Sequence, residues 1–245
     1  MFMPHFFINS NDVKSGKIII NDKENFNHIV KSLRTKVGEK LLLIDENQVQ
    51  YETTVAEVGN KELIVDVEES YKSNRKLDFN LYLAQSPLRS DAQNFIVEKS
   101  TELGIDGLYP AYTDNCALNK SVIEKKIPKW QRIMYEASKQ CERAYIPTCF
   151  EMTDLQTIIN SGNKIIAFCE RCADMTLHEY CKKNPIQKGD NLTVIIGPEG
   201  GFSEREFDLF RKNNVAMLTL GDLILKAETA VVVALGNIIY EYNCK

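Results

Sequence analysis

The chain has 245 residues, 44% of them hydrophobic and 26% charged, and its formal net charge at pH 7 is -4. These values are typical of a globular protein with one large or two modest domains. The negative charge excludes binding of nucleic acid through overall charge, so such a partner would need a local basic patch. The sequence has no apolar run long enough to cross a membrane. Residues 1–7 lack the basic segment and cleavage site of a signal peptide.

Seven cysteines, an odd number, lie mostly within apolar patterns, which indicates reduced and buried thiols. The compartment expected from this usage is the cytoplasm. The cysteines are Cys116, Cys141, Cys149, Cys169, Cys172, Cys181 and Cys244.

The first 72 residues predict a small β-barrel, because short strands alternate there with tight turns. The expected elements are a short helix over 28–34 and strands over 41–45, 51–58 and 63–67. Residues 70–76 are polar and predict a linker to the rest of the chain.

From Leu77 onward, strands and helices alternate, which predicts an α/β fold with a mostly parallel sheet covered by helices on both faces. Strands are expected over 77–84, 105–112, 164–169, 192–196 and 216–220, and helices over 91–103, 203–213 and 228–240. Asp91 and Ser203 are predicted to cap their helices, and Gly104 is predicted to end the first of them.

Another helix is predicted to begin at Pro128, because proline fits the first position of a helix. Five apolar residues beyond it fall on one helical face. They are Trp130, Ile133, Met134, Ala137 and Cys141.

Two glycine loops follow the last two predicted strands. Residues 197–201 contain three glycines, and Ser203 with Glu206 has the pattern of a capping box at the start of the next helix. Gly221 follows the last strand in the same way. Because glycines let a ligand approach main-chain N–H groups, the two loops predict a shared small-molecule site at one sheet edge. The alternative is two ordinary strand–helix turns.

In the late position and the residues of these loops, the sequence resembles the RsmE family, which belongs to the SPOUT class of RNA methyltransferases. A Rossmann-type site would instead place glycines after the first α/β strand, where residues 85–89 have none. The resemblance covers nearly the whole chain and is strongest over residues 196–203. Further support comes from residues 98–105, 136–143, 220–221, 224–225 and 228–230, and from Pro147, His28, Leu33, Arg34, Gly38 and Glu39.

The resemblance implies a trefoil-knotted, mostly parallel SPOUT domain over residues 76–245 and a small RNA-binding, PUA-like β-barrel over residues 1–72. It implies methylation of N3 of a uridine in 16S ribosomal RNA, with S-adenosylmethionine as cofactor. The substrate would be the free RNA or the assembled small subunit. It also implies a homodimer that pairs through the last helix, no metal ion and a cytoplasmic location.

The same resemblance implies that main-chain groups and aliphatic side chains of the two glycine loops hold the cofactor, with the end of the third α/β strand closing the pocket. The residues expected to bind it are Phe168, Cys169, Ile196, Gly197, Gly200, Leu220, Gly221 and Leu225. The alternative for the aliphatic members of this set is an ordinary place in the core.

Methyl transfer to a uridine imide nitrogen requires a general base, or a cation that stabilises the anion, because the protonated nitrogen is a poor nucleophile. Glu199 and Glu228 are the candidate bases, and Lys226 is the candidate cation. The alternative for Glu199 is to order its loop through backbone N–H groups, and for Glu228 to bond the loop from a helix N-terminus. Lys226 would meet a phosphate as a point charge, without the fork of an arginine.

Binding of RNA requires a basic surface. Residues 120–143 hold seven basic residues against three acidic ones, and the alternative for this segment is a solvated helix face. The residues expected to contact RNA, in this segment and elsewhere, are Lys31, Arg34, Arg89, Lys129, Arg132 and Arg143.

The sequence departs from the family pattern at several basic positions. Leu223 and Lys226 stand where the family usually has arginine, and residues 113–117 lack the arginine usual after the second α/β strand. The lysine usual after the first α/β strand is also absent, although Arg89 is nearby. These differences leave open a second hypothesis, a non-catalytic or differently targeted relative that binds cofactor and RNA.

A metal site is an alternative for one cysteine motif. Cys169 and Cys172 form a Cys-x-x-Cys that is followed by His178 and Cys181, and four such ligands could hold zinc. The first pair lies where the cofactor pocket is expected, and the resembled family uses no metal, so we expect no zinc. A thioredoxin-like redox role is disfavoured because the motif does not open the first βα unit of the domain.

Overall fold

The structure is a computed structural model that describes residues 3–73, 75–170 and 172–243. Cys244, Arg171 of the Cys-x-x-Cys motif and Asn74 of the predicted linker therefore lie outside the described residues. Among the described helices, none is both long enough and apolar enough to span a bilayer.

The secondary structure comprises short strands in the first part of the chain and alternating strands and helices after it. The strands are β1 (His5–Phe7), β2 (Val13–Lys14), β3 (Lys17–Ile20), β4 (Lys40–Ile44), β5 (Val49–Val58), β6 (Leu63–Lys72), β7 (Asn80–Gln85), β8 (Gly107–Tyr112), β9 (Thr148–Cys149), β10 (Thr153–Asp154), β11 (Lys164–Phe168), β12 (Met175–Thr176), β13 (Asn191–Ile196) and β14 (Ala216–Thr219). The helices are α1 (Lys23–Phe26), α2 (Ser90–Glu102), α3 (Lys120–Gln140), α4 (Leu155–Ile159), α5 (Leu177–Lys183), α6 (Glu204–Lys212) and α7 (Ala227–Asn243), with a 3₁₀ turn at Ser10–Asp12 and a π-helical turn at Asn27–Ser32.

The chain forms two compact units that are not continuous in sequence. The first comprises Met1–Lys76 with Ser138–Tyr145, and the second comprises Leu77–Ala137 with Ile146–Lys245. The end of α3 and the residues after it therefore join the first unit. The sequence-based division assigns this segment to the second domain, and the domain bounds 1–72 and 76–245 stay a prediction.

The first unit is built on a six-stranded sheet in the order β1-β4-β5-β6-β3-β2. β1 and β4 run parallel, and the following neighbours run antiparallel. The predicted strands are present, but β6 runs on to Lys72 and pairs with β5, so residues 70–72 are strand and not linker. Their polarity reflects exposure to solvent on an otherwise hydrogen-bonded strand.

The helical segment of the first unit starts earlier than predicted. The Asp22 side chain accepts a hydrogen bond from the Asn25 backbone N–H at 2.8 Å and so caps α1. The π-helical turn follows directly and ends at Ser32, whereas the sequence predicted a helix over 28–34. Ile29 lies fully buried in this turn and anchors it to the apolar core of the sheet.

The second unit contains a parallel sheet in the order β10-β8-β7-β13-β11-β14-β12, with β9 beside β8. The predicted α/β fold with a mostly parallel sheet is thereby confirmed. The carboxyl ends of β11, β13 and β14 are neighbours, with Phe168 opposite both Ile196 and Leu218. The two glycine loops follow β13 and β14. The trefoil knot stays a prediction.

Helix α3 differs from its prediction, because it starts at Lys120 and contains Pro128 in its interior. An interior proline removes one backbone hydrogen bond and is unfavourable in a helix. The apolar stripe outweighs this cost, since it begins at Ile123, before the proline, and continues through the fully buried Trp130 and Met134. The prediction that this helix begins at Pro128 is therefore wrong.

Helix α2 ends as predicted but begins without the predicted cap. Gly104 follows it with a φ of +91°, which lets its N–H bond to the carbonyl of Thr101 at 3.0 Å. The N-cap residue is Arg89, whose side chain makes no capping hydrogen bond. Asp91 lies instead in the first turn, where its negative charge favours the helix dipole.

His5 gives the first unit a predicted pH dependence. Its side chain is 6% exposed, and among the described residues its ring nitrogens have no hydrogen-bond partner. Burial lowers the pKa of His5 from 6.5 to about 4. Smaller effects come from Glu142, which raises this pKa, and from Arg75 and Lys139, which lower it further. Between pH 6.5 and about 4, the unfolded chain binds a proton at His5 that the folded chain does not bind. The free energy of unfolding therefore decreases as the pH falls through this range.

Replacing His5 by leucine is expected to flatten this pH dependence. The slope of the unfolding free energy against pH, measured by urea denaturation between pH 6.5 and 4.5, should fall by up to about 1.4 kcal/mol per pH unit relative to the unmutated protein. Equal slopes in the two proteins would show that His5 takes up its proton in the folded state.

Candidate functional site

A cavity of about 770 Å³ lies at the carboxyl ends of β11, β13 and β14. Its wall consists mainly of two loops, residues 196–202 after β13 and residues 219–226 after β14. The end of β11 and the start of α7 complete it. Its volume is within the range of pockets that bury a small molecule.

The first loop is held at the start of α6 by the predicted capping box. The Ser203 hydroxyl accepts a hydrogen bond from the Glu206 N–H at 3.2 Å, and the Glu206 carboxylate accepts one from the Ser203 N–H at 2.8 Å. The predicted cap and capping box are therefore confirmed. At Gly197, a Cβ atom would lie 3.2 Å from the ring of Phe202, so the ring closes over the glycine and limits side-chain size there.

The second loop turns at Gly221, whose φ of +128° is unfavourable for residues with a side chain. The Thr219 hydroxyl bonds to both main-chain groups of Gly221. It accepts from the N–H at 3.0 Å and donates to the carbonyl at 2.9 Å. Thr219 thus fixes the backbone of the loop, a role that the sequence analysis did not assign.

All residues predicted to bind the cofactor lie in the wall of this cavity. They are Phe168, Cys169, Ile196, Gly197, Gly200, Leu220, Gly221 and Leu225. Phe168, Cys169 and Ile196 are also buried and belong to hydrophobic clusters. These three side chains therefore lie both in the hydrophobic core and in the wall of the cavity. Their role toward a ligand stays a prediction.

The three predicted catalytic residues line the same cavity. Glu199 and Lys226 are exposed, and Glu228 is half-buried at the start of α7. The catalytic role of each glutamate and its loop-ordering alternative both stay predictions. Among the described residues, the wall carries four glutamates, Glu170, Glu199, Glu204 and Glu228, and one lysine, Lys226. This balance favours a ligand with positive charge.

The comparison with known proteins supplies the family. The profile described as RNA methyltransferase domain matches residues 75–239, which is more than half of the chain. The chain belongs to the RNA methyltransferase family. A second profile, described as RNA methyltransferase PUA domain, matches residues 20–68 in the first unit. The family resemblance found in the sequence is thereby confirmed.

Individual relatives of this methyltransferase match along most of their length. It is 29% identical to the ribosomal RNA small subunit methyltransferase E of Mesomycoplasma hyopneumoniae, covering 97% of this chain and 99% of the relative. It is 25% identical to the enzyme of that name from Bacillus subtilis, covering 89% and 88%. The crystal structure of ribosomal RNA small subunit methyltransferase E from Neisseria gonorrhoeae, bound to S-adenosylmethionine, has a TM-score of 0.82 at 21% identity, with 98% of both chains covered.

The basic residues predicted to bind RNA fall on both units of the methyltransferase. Arg89, Lys129 and Arg132 are exposed on the second unit, and Lys31 and Arg34 are exposed on the first. Arg132 also pairs with Glu136 at 2.5 Å, one helical turn away.

Arg143 differs from the other predicted RNA contacts. It belongs to the first unit, is only 6% exposed, and its guanidinium lies 4.5 Å from the centre of the Tyr145 ring. A buried guanidinium stacked on an aromatic ring is packed within the protein and presents little surface to a phosphate. This burial disfavours a contact of Arg143 with a phosphate, so we leave it out of the RNA-contacting residues proposed below.

The cysteine motif forms no metal site among the described residues, where no group of three or more histidine, cysteine or acidic side chains is arranged around one point. Cys169 is buried at the end of β11, and burial raises the pKa of its thiol to about 12. His178 bonds through Nδ1 to Glu241 of α7 at 2.9 Å.

The sequence analysis missed a set of contacts behind the first loop. Residues 113–117, which were noted for a missing arginine, bind the loop through the side chains of Asp114 and Asn115. The Arg205 guanidinium and the Ser203 hydroxyl hold the pKa of Asp114 below its usual range. No local pattern signals these contacts, because the partners are about 90 residues apart in the chain.

Proposed function

We propose that this protein transfers a methyl group from S-adenosylmethionine to N3 of a uridine in the 16S ribosomal RNA of the small subunit. The observation that carries the proposal is the cavity between two glycine loops, within the RNA methyltransferase domain, at the ends of three parallel strands. Relatives named ribosomal RNA small subunit methyltransferase E, matched over nearly their whole length, support the choice of substrate.

The volume of the cavity and the charge of its wall support S-adenosylmethionine as the ligand. Ile196, Leu220 and Leu225 offer an apolar surface for the adenine, while the exposed Gly221 leaves main-chain groups accessible. The excess of carboxylates in the wall suits the positive sulfonium and amino groups of this molecule. When bound, the cofactor supplies the methyl group as a sulfonium.

Three residues of the wall carry the proposed catalytic roles. The carboxylate of Glu199 or Glu228 accepts the proton that leaves N3 of the uridine, and the Lys226 ammonium stabilises negative charge on the base or a nearby phosphate. Most of the rate comes from holding the uridine in line with the methyl group, which the fixed loops favour.

We propose that each unit contacts RNA separately, the second through Arg89, Lys129 and Arg132 and the first through Lys31 and Arg34. All five side chains are exposed and basic, so they can meet phosphates without losing buried contacts. The proposal includes a cytoplasmic location, because ribosomal RNA is modified where ribosomes assemble.

We also propose a homodimer that pairs through α7. One face of this helix is buried in the core through Val231, Leu235 and Ile238. Val232 and Ile239, which lie off that face, are apolar and remain half-exposed. A second apolar face on a helix is typical of an interface.

Removing the positive charge of Lys129 is expected to weaken RNA binding. In the variant Lys129→Ala, the affinity for 16S RNA should fall, and the slope of log affinity against log salt should decrease by about one, because one phosphate contact is lost. Fluorescence titration at several salt concentrations measures both quantities. Lys212→Ala, at the end of α6, is the matched control and should retain the unmutated slope. Identical slopes in both variants would remove Lys129 from the RNA surface.

The experiment that tests the function is transfer of labelled methyl from S-adenosylmethionine to unmodified small subunits and, separately, to free 16S RNA. The modified nucleoside is then identified by mass spectrometry. Label on N3 of uridine is the expected result. Label on another base, or cofactor binding without transfer, would instead support the differently targeted or non-catalytic relative. Leu223 and Lys226 in place of arginines favour that second candidate, since Leu223 is 81% exposed at the cavity and offers no charge.

A further inference from the structure

Asn115 binds the back of the first glycine loop. Its side-chain amide donates to the carbonyl of Gly200 at 3.2 Å and to the carbonyl of Gly201 at 3.1 Å. A Cβ atom at Gly200 would lie 3.1 Å from the Cβ of Asn115, so the segments that contain these two residues are in contact here. Gly200 and Gly201 line the cavity, and Asn115 is not among the wall residues in the described part of the chain.

Asp114 binds the end of the same loop, at Ser203, and the first turn of α6, at Arg205. Its carboxylate accepts from the Ser203 hydroxyl at 2.5 Å and from Arg205, with Nε at 3.0 Å and a second guanidinium nitrogen on the other oxygen. In return, the backbone N–H of Asp114 donates to the carboxylate of Glu206 at 2.9 Å. Glu206 is only 2% exposed, so its hydrogen bond with the Asp114 N–H is shielded from solvent.

Together these bonds fix the second half of the loop and the start of α6. The Asn115 bonds hold the main-chain carbonyls of the glycines, and the Asp114 bonds hold the start of α6. The glycines contribute almost no side-chain contacts of their own, so the loop conformation depends on such external partners. The wall residues Glu199 and Phe202 lie directly beside the bonded carbonyls in sequence.

We propose that Asp114 and Asn115 are positioning residues of the cofactor site, which hold the loop over residues 199–203 in the shape that binds S-adenosylmethionine. This inference rests on the proposed function, since it assumes that the cavity takes this cofactor. The free loop is thereby pre-organised, and binding does not have to order it.

The variant Asn115→Asp tests the proposal most directly. It keeps the size of the side chain and replaces a donor by a carboxylate that faces two carbonyl oxygens. We expect the affinity for S-adenosylmethionine, measured by calorimetry, to fall about tenfold or more, because two hydrogen bonds are lost and repulsion replaces them. Asn115→Ala loses the bonds without the repulsion and should show a smaller loss. In the methyl-transfer assay, KM for the cofactor should rise in the same order.

Asp208→Asn is the matched control for Asp114→Asn. Asp208 lies on the exposed side of α6 and pairs with Arg211, so it loses a comparable ion pair away from the loop. We expect Asp114→Asn to weaken cofactor binding and Asp208→Asn to leave it unchanged. Equal affinities in all of these variants would overturn the positioning role.

Hydrogen–deuterium exchange of the protein without cofactor separates this inference from the proposed function. Backbone amides of residues 199–203 should exchange faster in Asn115→Asp than in the unmutated protein, and the melting temperature should change little. Unchanged exchange would overturn the inference whether or not the cofactor binds. Faster exchange with unchanged cofactor affinity would show a loop contact without a positioning role. Failure of the unmutated protein to bind S-adenosylmethionine would overturn the proposed cofactor and, with it, the role of these residues toward it.

Discussion

Replacing Gly221 by valine is expected to weaken binding of S-adenosylmethionine by about two orders of magnitude, or roughly 3 kcal/mol. The φ of +128° at this position is unfavourable for any side chain and most unfavourable for a β-branched one. The loop therefore relaxes toward negative φ and breaks the paired bonds to Thr219. Main-chain groups of the wall then move away from the ligand. Calorimetric titration with the cofactor gives the measurement.

Gly162→Val provides the matched control for this substitution. Gly162 has a φ of +82°, and its Cβ would meet no atom within 4 Å, as is also the case at Gly221. Gly162 follows α4 and lies outside the cavity wall as described. Both variants therefore carry backbone strain, but only Gly221→Val should lose cofactor affinity. An unchanged affinity in Gly221→Val would remove the second loop from the binding site.

Truncating Trp130 to alanine is expected to lower the free energy of unfolding of the second unit by about 3–5 kcal/mol. Trp130 is 1% exposed and belongs to the core cluster that α3 shares with the sheet. Alanine would leave a large cavity that the surrounding side chains cannot fill completely. Urea denaturation followed by far-UV circular dichroism measures the loss.

Val122→Ala tests whether burial causes this effect. Val122 lies on the same helix and is 37% exposed, so its truncation should change the free energy of unfolding by less than about 0.5 kcal/mol. A comparable loss in both variants would mean that burial of the Trp130 side chain does not determine the size of the effect.

Because α3 also carries the basic side chains of Lys129 and Arg132, Trp130→Ala should weaken RNA binding at temperatures near the melting point of the variant.

The parts of the fold that the sequence predicted well depend on local signals. Alternation of apolar residues located β5, and the Ser203–Glu206 pattern located the start of α6. Gly104 located the end of α2, because its positive φ is a requirement of the turn itself. The cavity wall followed from the same logic, since parallel strands bring their carboxyl ends to one edge of the sheet.

The parts that the sequence did not predict depend on contacts between distant residues. The interior position of Pro128 follows from the core that covers Ile123, which lies before the proline. The contacts of Asp114 and Asn115 depend on partners near residue 200. The burial of Arg143 accompanies the packing of Ser138–Tyr145 with the first unit. Single-sequence patterns carry no record of such pairings.

The first unit is built from two segments that are far apart in sequence, Met1–Lys76 and Ser138–Tyr145, and this affects how it folds during translation and where the chain can be truncated. Lys139 reaches His28 at 3.2 Å and lies over the Phe6 ring, and Glu142 pairs with Arg75. The first unit is therefore complete only after residue 145 has left the ribosome, although most of it is translated before residue 77. Vectorial synthesis then cannot finish the N-terminal domain before much of the next one has emerged. A gene fragment that stops at Lys76 encodes a unit without the segment that covers this side of it.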